Sequence, residues 1–232
     1  MILPAAAASL AAGAGFLAWA VRGRAASVLA PSVWRGPQNR KAIALTFDDG
    51  PSESTPQLLE LLAKHEAHAT FFQIGKNVQR LPAVARRVLD AGCEIGNHSH
   101  THPRFDFTSS SFQLGELQQA QRVIVDICGV TPRWFRSPYG VRWFGMAEAQ
   151  RQCRLTGVMW TSIALDWKLN APAITTRMQG AAGNGAIFCL HDGRALQPNP
   201  DVSATLASLR NLLPQLRAEG FALVTVSELL AG

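Results

Sequence analysis

The chain lacks several features that would have directed the reading elsewhere. It has only four cysteines, at positions 93, 128, 153 and 189, and no two form a Cys-x-x-Cys pair. Small buried thiols are therefore expected rather than disulfides or metal ligands, although an even number would permit one bridge. Charged residues make up only 16% of the 232. The net charge of +6 is spread over residues such as Arg35, Arg40, Lys41, Arg86, Arg87, Arg151 and Arg154. No basic run is interleaved with aromatics, so nucleic acid is not an expected partner, and a mild preference for anionic envelope surfaces fits the charge as well. Nothing basic but the chain start precedes the N-terminal apolar stretch, as a secretory signal would require.

That stretch, Ile2 to Val21, is uncharged and rich in alanine, and Arg22 and Arg24 follow at once. Its length matches the ~20 residues that a membrane-spanning helix needs. Residues 1–24 are read as a membrane anchor, with a signal peptide and a packed N-terminal helix as rivals. The positive-inside rule taken literally would leave the Arg side in the cytoplasm, so the orientation stays open. Residues 25–40, with Pro31, Gly36 and Pro37, read as a linker.

What is present begins at Ala42–Ile43–Ala44–Leu45–Thr46–Phe47, an apolar run of strand length that ends in Asp48 and Asp49 before Gly50–Pro51. A buried strand carries two adjacent carboxylates only at its end, where a cleft or solvent begins. Two such groups repel unless a cation lies beside them or one is protonated. From here the chain alternates short apolar runs with helical patterns, about seven strands in all. Near-continuous apolar strands of this kind suit a parallel sheet covered by helices. Asp48–Asp49, the histidines at 98, 100 and 102, Arg136 with Tyr139, Asp166–Trp167 and His191–Asp192 each follow the C-terminal end of an expected strand. In parallel α/β architectures those ends share one mouth, which carries the active site.

His98 and His102 would lie roughly 13 Å apart on an extended strand. They can share an ion, whose nitrogen bonds are about 2.0–2.1 Å long, only if the segment turns, as Thr101 and Pro103 encourage. Two His and one Asp leave a coordination position open, as hydrolytic metal sites require. His100 points elsewhere in such a turn. One Asp as ligand and its neighbour as base is an economical division of labour. His191 suits the acid that protonates a departing amine. Arg136 could hold a carboxylate through its planar fork, Asp166 could orient His191, and Trp167 could wall the cleft.

These elements resemble the polysaccharide deacetylases, the NodB-homology domain of carbohydrate esterase family 4, over roughly Lys41 to the C-terminus. Thr46-Phe-Asp-Asp-Gly-Pro51 is similar to the family's first motif, which implies Asp48 as general base and Asp49 as metal ligand. His98-Ser-His-Thr-His102 resembles the second, implying the outer histidines as ligands. Arg136-Ser-Pro-Tyr139 resembles the third, in which the Arg supports the base and the Tyr139 N–H helps bind the oxyanion. Asp166–Trp167 and Leu190–His191–Asp192 resemble the fourth and fifth, implying Trp167, Leu190 and Tyr139 at the substrate and His191 as acid. Many relatives carry an acid shortly before the Asp-Trp pair where this chain has Ile163, which implies a different wall to the sugar site.

The resemblance implies a distorted (β/α) barrel, often of seven strands, here preceded by a hydrophobic N-terminal helix, with residues 41–232 as catalytic domain. It implies a divalent ion, Zn2+ with Co2+ or Ni2+ as alternatives, and removal of N-acetyl groups from a chitin- or peptidoglycan-like glycan. No protein partner is expected, and the enzyme would be membrane-anchored facing the periplasm or exterior. Two other functions fit the same residues: hydrolysis of a non-sugar amide or cyclic imide, and a membrane-tethered glycan-binding module without turnover.

Overall fold

The computed structural model describes the backbone of residues 2–231 and the side chains of residues 11–231. Helix α1 (Ile2–Arg22) leads in, and β1 (Ser32–Val33) follows it. β2 (Ala42–Asp48) is buried at all of its positions. The chain then runs through α2 (Thr55–Lys64), β3 (Thr70–Gln73), α3 (Gly75–Arg80), α4 (Pro82–Asp90) and β4 (Glu94–Asn97). Next come α5 (Ser110–Cys128), β5 (Trp134–Phe135), α6 (Met146–Cys153), β6 (Thr156–Val158) and β7 (Ser162–Ile163). It closes with α7 (Ala171–Gln179), β8 (Ala186–His191), α8 (Ser203–Ala218), β9 (Ala222–Val224) and α9 (Val226–Leu230). Helix starts follow local chemistry. Pro56 and Pro82 occupy first turns where a missing N–H costs nothing, and the Ser109 hydroxyl accepts from the Phe112 N–H at 3.2 Å to start α5.

All strand pairs are parallel, in the order β1-β6-β5-β4-β3-β2-β8-β7, with β9 also on β2. β6 and β7 lie towards opposite ends of that order but are separated in the chain only by residues 159–161. The sheet therefore curls until its edges approach. Met159 N donates to Val33 O on one edge at 2.7 Å, and Thr161 N donates to Ile187 O towards the other at 2.9 Å. The result is the distorted barrel. The expected single strand over 157–162 divides into β6 and β7 at this crossing, and β1 is too short to give a periodic signal, so the sheet has nine strands rather than about seven.

Side chains on a strand alternate between faces. Ile43, Leu45 and Phe47 of β2, with Phe188 and Leu190 of β8, face outward into the helix layer alongside Leu58, Leu62, Leu209 and Leu213. Ala42 and Ala44, with Ile187, face the barrel interior. By the same alternation Asp48 of β2 and His191 of β8 end on the inner face at the mouth. Burying each outer Leu or Phe contributes about 1.5–3 kcal/mol, which is what holds the mouth residues on a rigid rim.

The expected membrane anchor does not stand. Among the described residues no helix is long and apolar enough to cross a membrane, which overturns the membrane-anchored localisation. Residues 1–10 of that expected anchor lie outside the residues whose side chains are described. Alanine, the commonest residue of α1, adds only one methyl group of apolar surface per position. The last turn of α1 docks on the barrel instead, as the rival packed-helix reading required. Ala20 and Val21 are buried, the Val21 carbonyl accepts from Arg142 N at 3.0 Å, and the buried Arg142 guanidinium donates to Gly23 O and Ala26 O at 2.6 Å. All four cysteines are free, and Cys93 and Cys189 are buried.

Candidate metal centre and active site

At the end of β2, Asp49 adopts a left-handed φ of 75°. This turn breaks the strand alternation, so two consecutive carboxylates reach the same mouth. Asp49 Oδ2 accepts from Ala195 N at 2.9 Å, and its carbonyl oxygen accepts from the Asn77 side-chain amide at 2.8 Å. Its Oδ1 lies 3.1 Å from His102 Nε2 and 3.4 Å from His98 Nε2.

The histidines meet because the chain stops being extended after β4. Ser99 and His102 have φ of 64° and 58°, Ser99 N donates to Asn97 Oδ1, and His102 N donates to Ser99 Oγ at 3.0 Å. Glu116 on α5 pins the turn by accepting from His100 N, Thr101 N and the Thr101 hydroxyl. The two outer rings come to 5.0 Å between centroids. His98 Nδ1–H donates to Arg136 O at 2.7 Å, which turns its Nε2 towards Asp49. His100 is buried against Gly75, where a Cβ would meet its Nδ1 at 2.5 Å, and takes no part in this group.

The residues fit a cation. Asp49 Oδ1 is buried with no aligned hydrogen-bond donor, and one atom each of Asp49, His98 and His102 lies within 4.8 Å of the others. A carboxylate oxygen facing two imidazole nitrogens is satisfied by a divalent ion. Burial opposes ionisation of Asp49, but the imidazoles of His102 and His98 outweigh it and hold its carboxyl well below the usual carboxylate range.

Beside this group, β2 and β8 place Asp48 directly opposite His191 in register. Asp48 Oδ1 accepts from Arg136 Nη1 at 2.8 Å. Arg136 is wholly buried, and the rest of its fork is spent on the Thr46 hydroxyl, Val158 O and Met159 O while its plane lies 4.2 Å from the Phe72 ring centroid. His191 Nδ1–H donates to Asp166 Oδ1 at 2.7 Å, and the Thr205 hydroxyl donates to Asp166 Oδ2 at 2.7 Å. Burial disfavours the imidazolium of His191, but the Asp166 carboxylate overrides it and the pKa rises to about 9.

A cavity of about 310 Å³ opens next to Asp48, walled by Tyr139, Trp160, Ile163, Trp167 and Cys189. Tyr139, at φ 58°, sets its ring 4.8 Å from that of His102, and Trp167 stands edge-on to His191 at 5.1 Å. Leu190 lies elsewhere: it packs in the outer core, and Cys189, one position earlier and on the inner face, takes the place at the cavity wall. Burial, reinforced by Asp48, pushes the Cys189 thiol well above its usual value, so it is protonated. Several supporting groups carried no sequence signal. Thr205 reaches Asp166 from α8 and Asn77 reaches Asp49 from α3, while Arg194 and the Ala195 N–H come from the loop that follows β8, with Arg194 donating to Asp166 O at 2.9 Å.

The family model for polysaccharide deacetylase matches residues 35–158. The chain belongs to the polysaccharide deacetylase family. It is 35% identical over 205 residues to the peptidoglycan-N-acetylglucosamine deacetylase PgdA of Listeria monocytogenes, covering 88% of this chain but 41% of that protein. The chain thus spans about two fifths of that relative's length. It is 36% identical over 201 residues to the chitooligosaccharide deacetylase of Azorhizobium caulinodans, covering 80% of this chain and 93% of that one. Among solved structures, the Bc1960 peptidoglycan N-acetylglucosamine deacetylase, in complex with 4-naphthalen-1-yl-N-oxidanyl-benzamide, superposes with a TM-score of 0.81 at 29% identity. That match covers 87% of this chain and 94% of that one. The sequence expectation of the family holds, and so does that of the distorted parallel barrel.

Proposed function

We propose that the chain is a metal-dependent hydrolase that removes N-acetyl groups from an amino-sugar glycan of chitin or peptidoglycan type, with residues 41–232 as its catalytic domain. The observation that carries this reading is the register of β2 and β8. It sets a carboxylate base, Asp48, opposite an imidazole acid, His191, beside an Asp–His–His group that fits a divalent ion. A binding module has no use for such a pair.

Asp49, His98 and His102 would hold the ion, Zn2+ on the strength of two nitrogens and one carboxylate oxygen, with Co2+ or Ni2+ able to replace it. When bound it supplies Lewis acidity, polarising the acyl oxygen and bringing the pKa of water towards neutral. Asp48, oriented through its Oδ1 by Arg136, takes the proton of the attacking water. The Tyr139 N–H donates to the acyl oxygen as it becomes an oxyanion, a contribution of about 3–4 kcal/mol for a well-placed donor. His191, kept protonated by Asp166, delivers its proton to the departing nitrogen. Trp160, Ile163, Trp167 and Cys189 wall the cavity beside Asp48 and keep bulk water from the acyl methyl. Leu190 is left out of the substrate contacts. Beyond Trp167 a second cavity of about 490 Å³, with Lys168, Asn170 and Arg194 on its wall, offers polar groups for neighbouring sugar hydroxyls.

The test is acetate release from chitooligosaccharides and peptidoglycan set against small amides and cyclic imides, alongside metal content. Release from the glycans alone supports the reading. Turnover of the small amides alone would replace the substrate class, and glycan binding unaffected by a chelator, with no product, would replace the enzyme by a binding module.

A further inference from the structure

The site contains a second group of donors that the proposed hydrolysis does not need as a group. On β8, side-chain alternation puts Cys189 on the same inner face as His191, and the β2–β8 register puts Asp48 across from His191 and Thr46 across from Cys189. Cys189 Sγ lies 3.5 Å from Asp48 Oδ2, the carboxylate oxygen that Arg136 leaves free. One donor atom from each of Asp48, Cys189 and His191 lies within 4.8 Å of the other two, and the set shares no residue with Asp49, His98 and His102. Carboxylate oxygen, sulfur and imidazole nitrogen are the donors that Zn2+ and Cd2+ accept together, whereas Mg2+ and Ca2+ avoid sulfur. Asp48 and Cys189 both line the cavity beside the catalytic rim, which gives a cation a way in.

We propose that Asp48, Cys189 and His191 form a second site, for a thiophilic divalent cation such as Zn2+ or Cd2+, and that filling it stops hydrolysis. Binding exchanges the Cys189 Sγ–H bond for a sulfur–metal bond and the His191 Nε2–H bond for a nitrogen–metal bond, and releases two protons to solvent. It also occupies Asp48 Oδ2 and the imidazole of His191, so the base cannot take a proton and the acid cannot give one. The blocking effect rests on the roles assigned to Asp48 and His191 above; the site itself rests only on the three donors.

The experiment titrates the full chain, preloaded with one equivalent of Zn2+, with Cd2+ while reading near-ultraviolet sulfur-to-metal charge transfer and acetate release. The Asp49–His98–His102 group has no sulfur, so a band reports a thiolate ligand whichever ion sits there. The expected result is a charge-transfer band that saturates with one further equivalent, and loss of acetate release with the same midpoint. The band should persist in Cys128→Ser and Cys153→Ser and disappear in Cys189→Ser. Affinity for the further equivalent should fall roughly 10- to 100-fold or more in that variant, since even losing a partner of a ligand costs that much. Cys189→Ala, checked by its melting curve, serves if the serine variant does not fold. No band at the further equivalent, or a band unchanged in both Cys189 variants, overturns the site. A band with turnover intact overturns the blocking effect and, with it, the roles of Asp48 and His191.

Discussion

Asp166 holds His191 at two points: its Oδ1 accepts from the ring Nδ1–H at 2.7 Å, and its Oδ2 accepts from the His191 backbone N–H at 2.8 Å. The carboxylate therefore fixes the ring's orientation and its charge together. Burial opposes ionisation of Asp166 too, yet His191 outweighs it and lowers its pKa, the reciprocal of the rise of His191 to about 9. The acid works while protonated, so removing the carboxylate lets its proton leave at a lower pH. Asp166→Asn should shift the alkaline limb of the pH–rate profile towards acid and lower kcat by about 10²–10⁴. A profile lowered uniformly, with its limb unmoved, would count against His191 as the acid.

Asp48→Asn tests the base. The amide keeps an oxygen for Arg136 Nη1 and removes the proton acceptor, while Asp49, His98 and His102 are untouched. We expect unchanged metal content, a lower melting temperature because the buried Arg136 guanidinium loses its carboxylate, up to about 3–5 kcal/mol for a broken buried pair, and a loss of about 10²–10⁴ in turnover. Acetate release equal to that of the parent chain would remove Asp48 as base.

Stripping the ion should cost stability as well as activity. Two imidazoles and a buried Asp49 oxygen without an aligned donor face one another, so the empty cluster loses whatever the ion would satisfy. At free metal about 100 times Kd the ion adds about 2.7 kcal/mol to the unfolding free energy. EDTA should therefore lower the melting temperature of the parent chain and abolish turnover, with one equivalent of Zn2+ or Co2+ restoring both. In His98→Ala one equivalent of the ion should raise the melting temperature less than it does in the parent chain. A melting curve of the parent chain indifferent to EDTA would argue that the cluster binds nothing.

The reach of the sequence was set by the range of the interactions involved. Strands such as Ala42–Asp48 and Ala186–His191 announce themselves because an apolar run that stops at a charge suits the mouth end of a buried strand and little else. The turn that joins His98 to His102 follows from the spacing once the two are taken to share an ion, and Thr101 and Pro103 favour it. Parity was also available: counting by twos from His191 puts Cys189, not Leu190, on the inner face, a deduction that the motif resemblance obscured. Other features depend on contacts across the fold. Thr205 reaches Asp166 from α8, and Arg142 binds carbonyls at Gly23 and Ala26, 119 and 116 positions away. No local pattern encodes either contact. The anchor expectation failed because length and lack of charge do not make up for the meagre apolar area of alanine.

Arg136 joins the chemistry to the fold, and its removal separates two costs. The side chain is wholly buried and bridges β2 and the β6 edge, donating to Asp48, Thr46, Val158 O and Met159 O and packing on Phe72. Arg136→Met removes the guanidinium and leaves the Asp48 carboxylate buried without its partner, which costs about 3–5 kcal/mol for a broken buried pair. Arg136→Lys keeps a charge but has neither the planar fork for two carbonyls nor the flat face for Phe72, so it should rescue only part of the loss. Most of the penalty belongs to the stranded carboxylate, so Arg136→Met combined with Asp48→Asn should be less destabilised than the sum of the single variants by about 1–3 kcal/mol. Urea unfolding of the four proteins measures this directly. Strict additivity would mean that the arginine acts through packing alone, and that the base at Asp48 is oriented by something else.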